Sequence, residues 1–236
     1  MAAECEHGAE SHEGTEPSMA SAPEASRAWL LIEHPGPWPD EPASAVLPSL
    51  LRGVVDEAVK LGIRVQLIRE PGSRRVSGGV FAGWTAGSEP WLRRGFLSRG
   101  LDRLDLEGLA GGRPVSFGSP VGEPVFLVCA HAQRNACCAR FGGPLSQALA
   151  ARYPGQVFQT THVGGHRFAA NLVILPHGLY YGPVGLAEAT AAIGAYERGA
   201  VTVARYRGRA GQPRSTQQAE HEALARTGSL RVAALA

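Results

Sequence analysis

The fold and the candidate site both depend on residues 125–184, which read VFLVCAHAQRNACCARFGGPLSQALAARYPGQVFQTTHVGGHRFAANLVILPHGLYYGPV. Cys129 and Cys138 lie nine residues apart in this stretch, and His162 and His166 lie four residues apart in a second loop. Thiolates and imidazoles are the usual ligands of zinc and of iron–sulfur centres. Two pairs of such side chains therefore indicate a site for a soft metal.

Carboxylates are absent from this part of the chain, because no Asp or Glu lies between Glu123 and Glu188. A metal site built here must therefore use sulfur and nitrogen ligands. This restriction narrows the set of possible metal ligands more than any other feature of the sequence.

Alternating strands and helices are predicted along the same stretch. Residues 125–130 form an apolar run that predicts a strand, with Cys129 near its carboxyl end, where α/β proteins place their sites. The loop that follows is predicted to be extended, so that Cys137 and Cys138 point to opposite sides and only one of them reaches the metal. The remaining predicted elements are a helix at 144–153, a strand at 156–162, a hairpin around residues 177–178 and a helix at 187–199.

The first half of the chain predicts another α/β layer. AWLLIEH at 28–34 predicts a buried strand, a helix is predicted at 43–61, and RVQLIRE at 64–70 predicts the next strand of a β-α-β unit. Short strand-like runs follow in 77–121, including GVFAGWT, WLRRGFL and PVSFG. A further helix is predicted near 216–226, and the sequence shows no internal repeat.

Composition excludes several classes of protein. Residues 1–26 contain six Glu and no Lys or Arg, which predicts a disordered acidic tail, whereas residues 27–236 carry 23 basic against 15 acidic side chains. These basic residues are scattered with few aromatics among them, so nucleic-acid binding is not expected. No apolar run approaches the roughly 20 residues of a membrane span, and the N-terminus does not resemble a signal peptide. We therefore predict a soluble, cytoplasmic protein without a secreted disulfide framework.

Spacing alone leaves structural zinc, an iron–sulfur cluster and a metal-free core open. HVGGH has the separation of a zinc-protease helix, but Val163 stands where the general-base Glu would be. Its two glycines cost a helix about 2 kcal/mol, so a loop is predicted. Cys129-Ala-His131 resembles the first half of a Rieske motif, yet no Cys-x-x-His follows. His131 is therefore retained only as an alternative ligand.

The segments LVCAHAQRNACCARFGGPL and THVGGHRFAANLVILPHGLYYGPV resemble the sucrase/ferredoxin-like family, a branch of the thioredoxin-like [2Fe–2S] ferredoxins. The family's first loop resembles C-x-H-x-x-R-D-x-x-C, whose last cysteine falls on Cys138. Its second loop resembles H-x-G-G-H, whose histidines fall on His162 and His166. The resemblance implies that Cys129 and Cys138 hold one iron and the imidazoles hold the other. Cys137 remains the alternative to Cys138.

The resemblance also implies a fold and a domain organisation. We expect an α/β protein in which a thioredoxin-like ferredoxin domain packs with an N-terminal α/β domain. The predicted divisions are a disordered acidic tail at 1–26, the N-terminal α/β domain at 27–121, the ferredoxin domain at 122–205 and a C-terminal extension at 206–236.

The implied function is electron transfer through a [2Fe–2S] cluster, without a substrate of the protein's own. Neutral imidazoles in place of two thiolates raise the reduction potential, and Arg134, Arg140 and Arg167 are expected to offset the charge gained on reduction. A structural zinc module with the same ligands is the alternative. A glycoside-cleaving sucrase is disfavoured, since such chemistry generally uses two carboxylates. The expected partner is a redox protein, whose identity the sequence does not specify, nor does it specify the oligomeric state.

Overall fold

The structure, a computed structural model, describes residues 20–73 and 77–235. Its strands are β1 (Ala28–Glu33), β2 (Arg64–Arg69), β3 (Gly79–Trp84), β4 (Trp91–Phe96), β5 (Ser119–Pro120), β6 (Val125–Cys129), β7 (Val157–Thr160), β8 (Leu172–Leu175), β9 (Leu179–Tyr181), β10 (Ala200–Thr202), β11 (Tyr206–Arg209) and β12 (Ser229–Arg231). Its helices are α1 (Ser49–Lys60), α2 (Leu106–Ala110), α3 (Ala136–Arg152), α4 (Leu186–Glu197) and α5 (Arg214–Thr227). Ten strands form one mixed sheet in the order β11-β9-β8-β6-β7-β2-β1-β3-β4-β5, and β10 pairs with β12. The predicted α/β class is confirmed.

The β-α-β unit predicted in the first half is present. β1 and β2 pair in parallel, and every residue of β1 is buried, as its continuous apolar run predicts. Helix α1 begins at Ser49, later than predicted, because Pro48 disfavours a helical conformation in the residue before it. The strand predicted at 114–118 is wrong: this segment forms an irregular connection that precedes β5.

A second β-α-β unit forms in the other half. β6 and β7 pair in parallel on either side of helix α3, and β8 pairs antiparallel with β6. β8 and β9 form the hairpin predicted around residues 177–178. Helices α4 and α5 lie within two residues of their predicted ends.

The two halves of the sheet have the same topology. In each half a β-α-β unit is followed by a strand antiparallel to its first strand and then by a hairpin partner. The resulting orders are β4-β3-β1-β2 and β9-β8-β6-β7, joined by the antiparallel pair β2–β7. The sequence shows no repeat because the halves share strand order but not residues: β1 ends in Glu33 where β6 ends in Cys129.

The predicted domain boundaries fall inside this one sheet. Strand β2, in the predicted domain 27–121, pairs with β7, in the predicted domain 122–205. Strand β11, in the predicted extension 206–236, pairs with β9. The predicted tail 1–26 lies outside the described residues as far as residue 19, and Ala22 is buried. The division into domains stays a prediction.

One hydrophobic cluster is shared by both halves and contains the two candidate sulfurs. Trp29 and Phe81 come from the first half, and Phe158, Cys129 and Cys138 come from the second. The rings of Phe81 and Phe158 meet edge to face, with centroids 5.5 Å apart. The cysteines therefore belong to the apolar core between the halves.

Gly142 allows helix α3 to lie directly against strand β6. A Cβ at Gly142 would lie 1.9 Å from the carbonyl oxygen of Cys129, whereas a Cβ at Gly143 would have nothing within 4 Å. We expect Gly142→Ala to lower the free energy of unfolding by about 1–3 kcal/mol or more, as overpacking does. Gly143→Ala should change it by less than about 1 kcal/mol, because its gain in helix propensity is opposed by the restriction that Pro144 places on the preceding residue. Urea denaturation measures both, and equal losses would contradict the assigned contact.

Candidate metal centre

Strand β6 ends at Cys129 and brings its sulfur to the carboxyl edge of the second β-α-β unit. All five residues of the strand are buried, and Cys129 has no exposed surface. Its backbone N–H donates a 3.1 Å hydrogen bond to the carbonyl of Asn171, just before β8. The sheet ladder therefore fixes the backbone that carries this thiol.

Cys138 lies in a helix, and the predicted extended loop is wrong. Helix α3 begins at Ala136, because Asn135 caps it: the side-chain oxygen of Asn135 accepts a 2.9 Å hydrogen bond from the Cys137 N–H. Pro144, predicted at the first helical turn, lies in the helix interior. The prediction relied on the proline alone, whereas the asparagine cap determines where the helix starts.

The helix separates the directions of Cys137 and Cys138. Adjacent residues of an α-helix differ by about 100° in direction. Both side chains are fully buried. Of the two, only Cys138 belongs to the group of ligand atoms that could hold a metal ion within the described residues.

Three of the predicted ligands converge. The Nδ1 atom of His162 lies 3.9 Å from the Sγ of Cys129 and 3.7 Å from the Sγ of Cys138. The three ligand atoms all lie within 4.8 Å of one another. Ligand atoms of a tetrahedral zinc site lie about 3.5 Å apart, as follows from bonds of roughly 2.0–2.3 Å. The three atoms therefore surround a space suited to one metal ion.

His166 lies beside this group at the exposed side. It begins the short 3-10 turn His166–Phe168 that follows the two glycines, and its side chain is exposed. Its ring centroid is 6.3 Å from that of His162, with an angle of 37° between the ring planes. The second imidazole is thus a neighbour of the first but lies outside the compact group of three.

Side-chain donors hold the backbone of the histidine loop. Gly164 and Gly165 have φ values of +98° and +71°, in the left-handed region that favours glycine, so the predicted loop is confirmed. Each carbonyl oxygen from residue 162 to residue 165 accepts a hydrogen bond from a side chain. The donors, in that order, are Arg64 (3.1 Å), Tyr180 (3.2 Å), Arg207 (3.5 Å) and Asn171 (3.0 Å).

Each of the two thiols shifts the pKa of the other. The hydrogen bond from Cys138 and the contact with His162 hold the pKa of Cys129 well below its usual range, although burial opposes this shift. The hydrogen bond to Cys129, burial and the negative charge on Cys129 raise the pKa of Cys138. One thiolate therefore forms readily, whereas the second needs a neighbouring positive charge such as a metal ion.

His131 and Arg134 both belong to the loop between β6 and α3, and they contact different partners. His131 is buried, its Nδ1 accepts a 3.2 Å hydrogen bond from the His162 N–H, and burial lowers its pKa. Its neutral ring therefore supports the backbone of a candidate ligand. The Arg134 guanidinium forms ion pairs with Asp40 at 2.7 Å and with Glu41 at 3.3 Å. Its positive charge is therefore paired with two acidic side chains of the same turn.

Comparison with known proteins identifies the family. Residues 19–208 match the profile of the family described as sucrase/ferredoxin-like. The chain belongs to the sucrase/ferredoxin-like family. The matched range includes Cys129, Cys138, His162 and His166.

One curated relative of this sucrase/ferredoxin-like protein is altered inheritance of mitochondria protein 32 of Eremothecium gossypii. The two are 28% identical over 140 residues, which cover 55% of this chain and 44% of the relative. The chain therefore spans less than half the length of that relative. No solved structure matches the chain. Among the described residues, no helix combines the length and the apolar character needed to cross a bilayer.

Sequence reasoning missed the donors that hold the histidine loop of this family member. Arg64 is 98 residues from the carbonyl it contacts at His162, and Arg207 is 43 residues from its contact at Gly164. No short motif connects residues so far apart. Only the order of the strands brings β2 and β11 close to the loop.

The adjacent cysteines allow a matched test of the predicted ligand set. We expect Cys138→Ser to weaken Co²⁺ binding by more than the roughly 10–100-fold cost of losing an outer-shell partner, because it removes a sulfur of the converging group. Cys137→Ser should retain the thiolate-to-cobalt absorption band. Titration with Co²⁺ under reducing conditions, followed by visible absorption, measures both. Loss of the band in Cys137→Ser alone would reverse the assignment.

Proposed function

We propose that this sucrase/ferredoxin-like protein transfers electrons through a [2Fe–2S] cluster held by Cys129, Cys138, His162 and His166. The observation that carries the proposal is the convergence of two buried sulfurs and one imidazole nitrogen. The donor set fits the group, because thiolates and imidazoles are established ligands of such clusters. In this proposal the protein is an electron carrier and not an enzyme with its own substrate.

The four side chains contribute different charges to the centre. Two thiolates supply negative charge inside the apolar cluster of the fold, and two neutral imidazoles supply none. A cluster with this ligand set accepts an electron at a higher potential than one with four thiolates. The buried sulfurs exclude water on one side, and the exposed His166 faces solvent on the other. We propose that electrons enter and leave on the histidine side.

The topology of the second half supports a thioredoxin-like ferredoxin unit. The order β9-β8-β6-β7, with β8 antiparallel to β6 and helix α3 between β6 and β7, agrees with the fold that the family resemblance implies. The sulfurs lie where such a unit presents a site, at the end of its first strand and the start of its first helix. This part of the proposal rests on topology and resemblance together.

A structural zinc site is the second candidate, and the distances favour it. The separations of 3.7 and 3.9 Å between sulfur and nitrogen are close to those around one tetrahedral ion. Ligands on different irons of a cluster are farther apart, since the inorganic core lies between them. A cluster therefore requires His162 to lie farther from the sulfurs than it does in this conformation. Zinc would make the protein a binding module.

Electron transfer requires a partner, which we propose to be a redox protein. We also propose a cytoplasmic location. The name of the Eremothecium gossypii relative refers to the inheritance of mitochondria, but this chain covers only 44% of that protein. Neither nucleic-acid binding nor sucrose cleavage is part of the proposal, because basic residues are scattered and residues 124–187 contain no carboxylate.

Metal analysis separates the two candidates. Protein purified without oxygen should contain about two irons and two acid-labile sulfides per chain and absorb visible light, as a [2Fe–2S] protein does. Cys138→Ser purified in parallel should lose both. A colourless wild-type protein with one zinc per chain would establish the second candidate instead.

Replacement of one imidazole by a thiolate tests the histidine ligation. We expect His166→Cys to retain a cluster and to lower its reduction potential, because a third thiolate adds negative charge. His221→Cys, in helix α5, is the control and should leave the potential unchanged. Potentiometric titration followed by visible absorption measures all three proteins. A potential in His166→Cys equal to that of the wild type would remove His166 from the ligand set.

A further inference from the structure

Strand β11 contains two arginines that are equally buried but differently paired. Arg207 and Arg209 are each 1% exposed. The Arg209 Nε donates to Glu220 at 2.7 Å, so its charge is neutralised by a carboxylate. Arg207 donates only to neutral oxygens among the described residues. These acceptors are the hydroxyl and carbonyl oxygens of Ser21 (both 2.9 Å), the carbonyl of Gly164 (3.5 Å) and the side chain of Asn171.

A β-bulge separates the two arginines onto opposite faces of the sheet. The register between β11 and β9 shifts between Tyr206 and Gly208, and Gly208 has a φ of +112°. Tyr206 and Arg209 both contact Glu220, on the side of helix α5. The irregularity therefore turns Arg207 toward the other face, where the histidine loop lies.

The Arg207 guanidinium lies against the loop that carries the two histidines. It stacks over the rings of Phe168, at 4.4 Å, and Tyr180, at 5.6 Å. A Cβ at Gly165 would lie 2.4 Å from its Nη2. Gly165 is therefore required not only for its backbone conformation but also for the close approach of this charge.

A buried guanidinium without a carboxylate is costly unless another negative charge compensates it. Burial lowers the pKa of Arg207 to about 10, while the charges of Tyr180 and, to a smaller extent, Cys129 oppose that shift. Arg207 is therefore protonated at neutral pH. Cys129, one of the two groups that oppose the shift, belongs to the candidate centre.

We propose that Arg207 is the internal counter-charge of the metal centre, a positioning residue that stabilises its reduced state and holds the Gly164–Gly165 turn. The inference rests on the proposed electron-transfer function. On reduction, one electron arrives from a redox partner protein, and the centre gains one negative charge without breaking a bond. A fixed positive charge in an apolar environment favours that gain. Arg207, rather than the exposed Arg134, then raises the reduction potential.

Charge removal at Arg207 is the direct test, with Arg209 as the matched control. We expect Arg207→Gln to lower the equilibrium constant for reduction of the cluster about tenfold or more. For a one-electron couple this corresponds to a reduction potential lower by about 59 mV or more. Arg207→Lys keeps the charge and should stay within a few-fold of the wild type. Arg209→Gln should lower the melting temperature but leave the potential unchanged. Potentiometric titration of proteins with equal iron content, together with thermal denaturation, provides both measurements.

A second variant tests the same charge without removing the arginine. Ser21→Asp places a carboxylate where the Ser21 hydroxyl accepts from Arg207, so it should neutralise the guanidinium and lower the potential even if Arg207→Gln does not fold. If the wild type and both variants contain the cluster and all three have the same reduction potential, the role of Arg207 is wrong. The electron-transfer function would then still stand. An equal shift in Arg209→Gln would overturn the role of Arg207 as well. A wild type that contains zinc and no iron would overturn the electron-transfer function and, with it, this inference.

Discussion

The contact between helix α3 and strand β6 is the constraint on which the candidate centre depends. Gly142 brings the helix so close that any side chain there would overlap the carbonyl oxygen of Cys129. Cys138 lies four residues before Gly142 and therefore on the same face of the helix. The close approach that Gly142 permits at one turn brings Cys138 near Cys129 at the preceding turn. Two sulfurs meet because two backbone segments pack without a side chain between them.

Because the two sulfurs converge, their thiols are difficult to ionise together, and neighbouring groups affect how readily they do so. Two thiols in an apolar core ionise reluctantly as a pair, and the raised pKa of Cys138 shows the cost of the second charge. The imidazole of His162 lowers the pKa of Cys129, and a bound cation would favour the second thiolate. The histidine loop cannot join a sheet ladder, so side chains from β2, β9 and β11 satisfy its carbonyl groups. Two of the donors that hold the loop, Arg64 and Arg207, also carry positive charge toward it.

Local signals explain what could be predicted from the sequence. The apolar runs that became β1 and β6, the hairpin at residues 177–178 and the glycine loop between the histidines depend on neighbouring residues, and all were predicted. The predicted start of helix α3 is too late, because it rests on Pro144 alone and the Asn135 cap begins the helix at Ala136. The role of Arg207 depends on the pairing of β11 with β9 and on a bulge in that pairing. Neither leaves a pattern near the cysteines or the histidines.

The repeated topology shows that the fold alone does not make a metal centre. At the end of β1, the position that Cys129 occupies at the end of β6, Glu33 is buried and pairs with Arg94 at 2.9 Å. Ser77 and the Gly79 N–H also donate to its carboxylate. Both halves thus place an ionisable group at the carboxyl end of the equivalent buried strand, and in the first half an arginine from β4 pairs with it. In the first half protein donors satisfy the carboxylate, whereas in the second the sulfurs belong to a group of side chains that could hold a metal ion. That difference lies in the side chains and not in the shared backbone arrangement, so the topology alone does not specify the chemistry of the site.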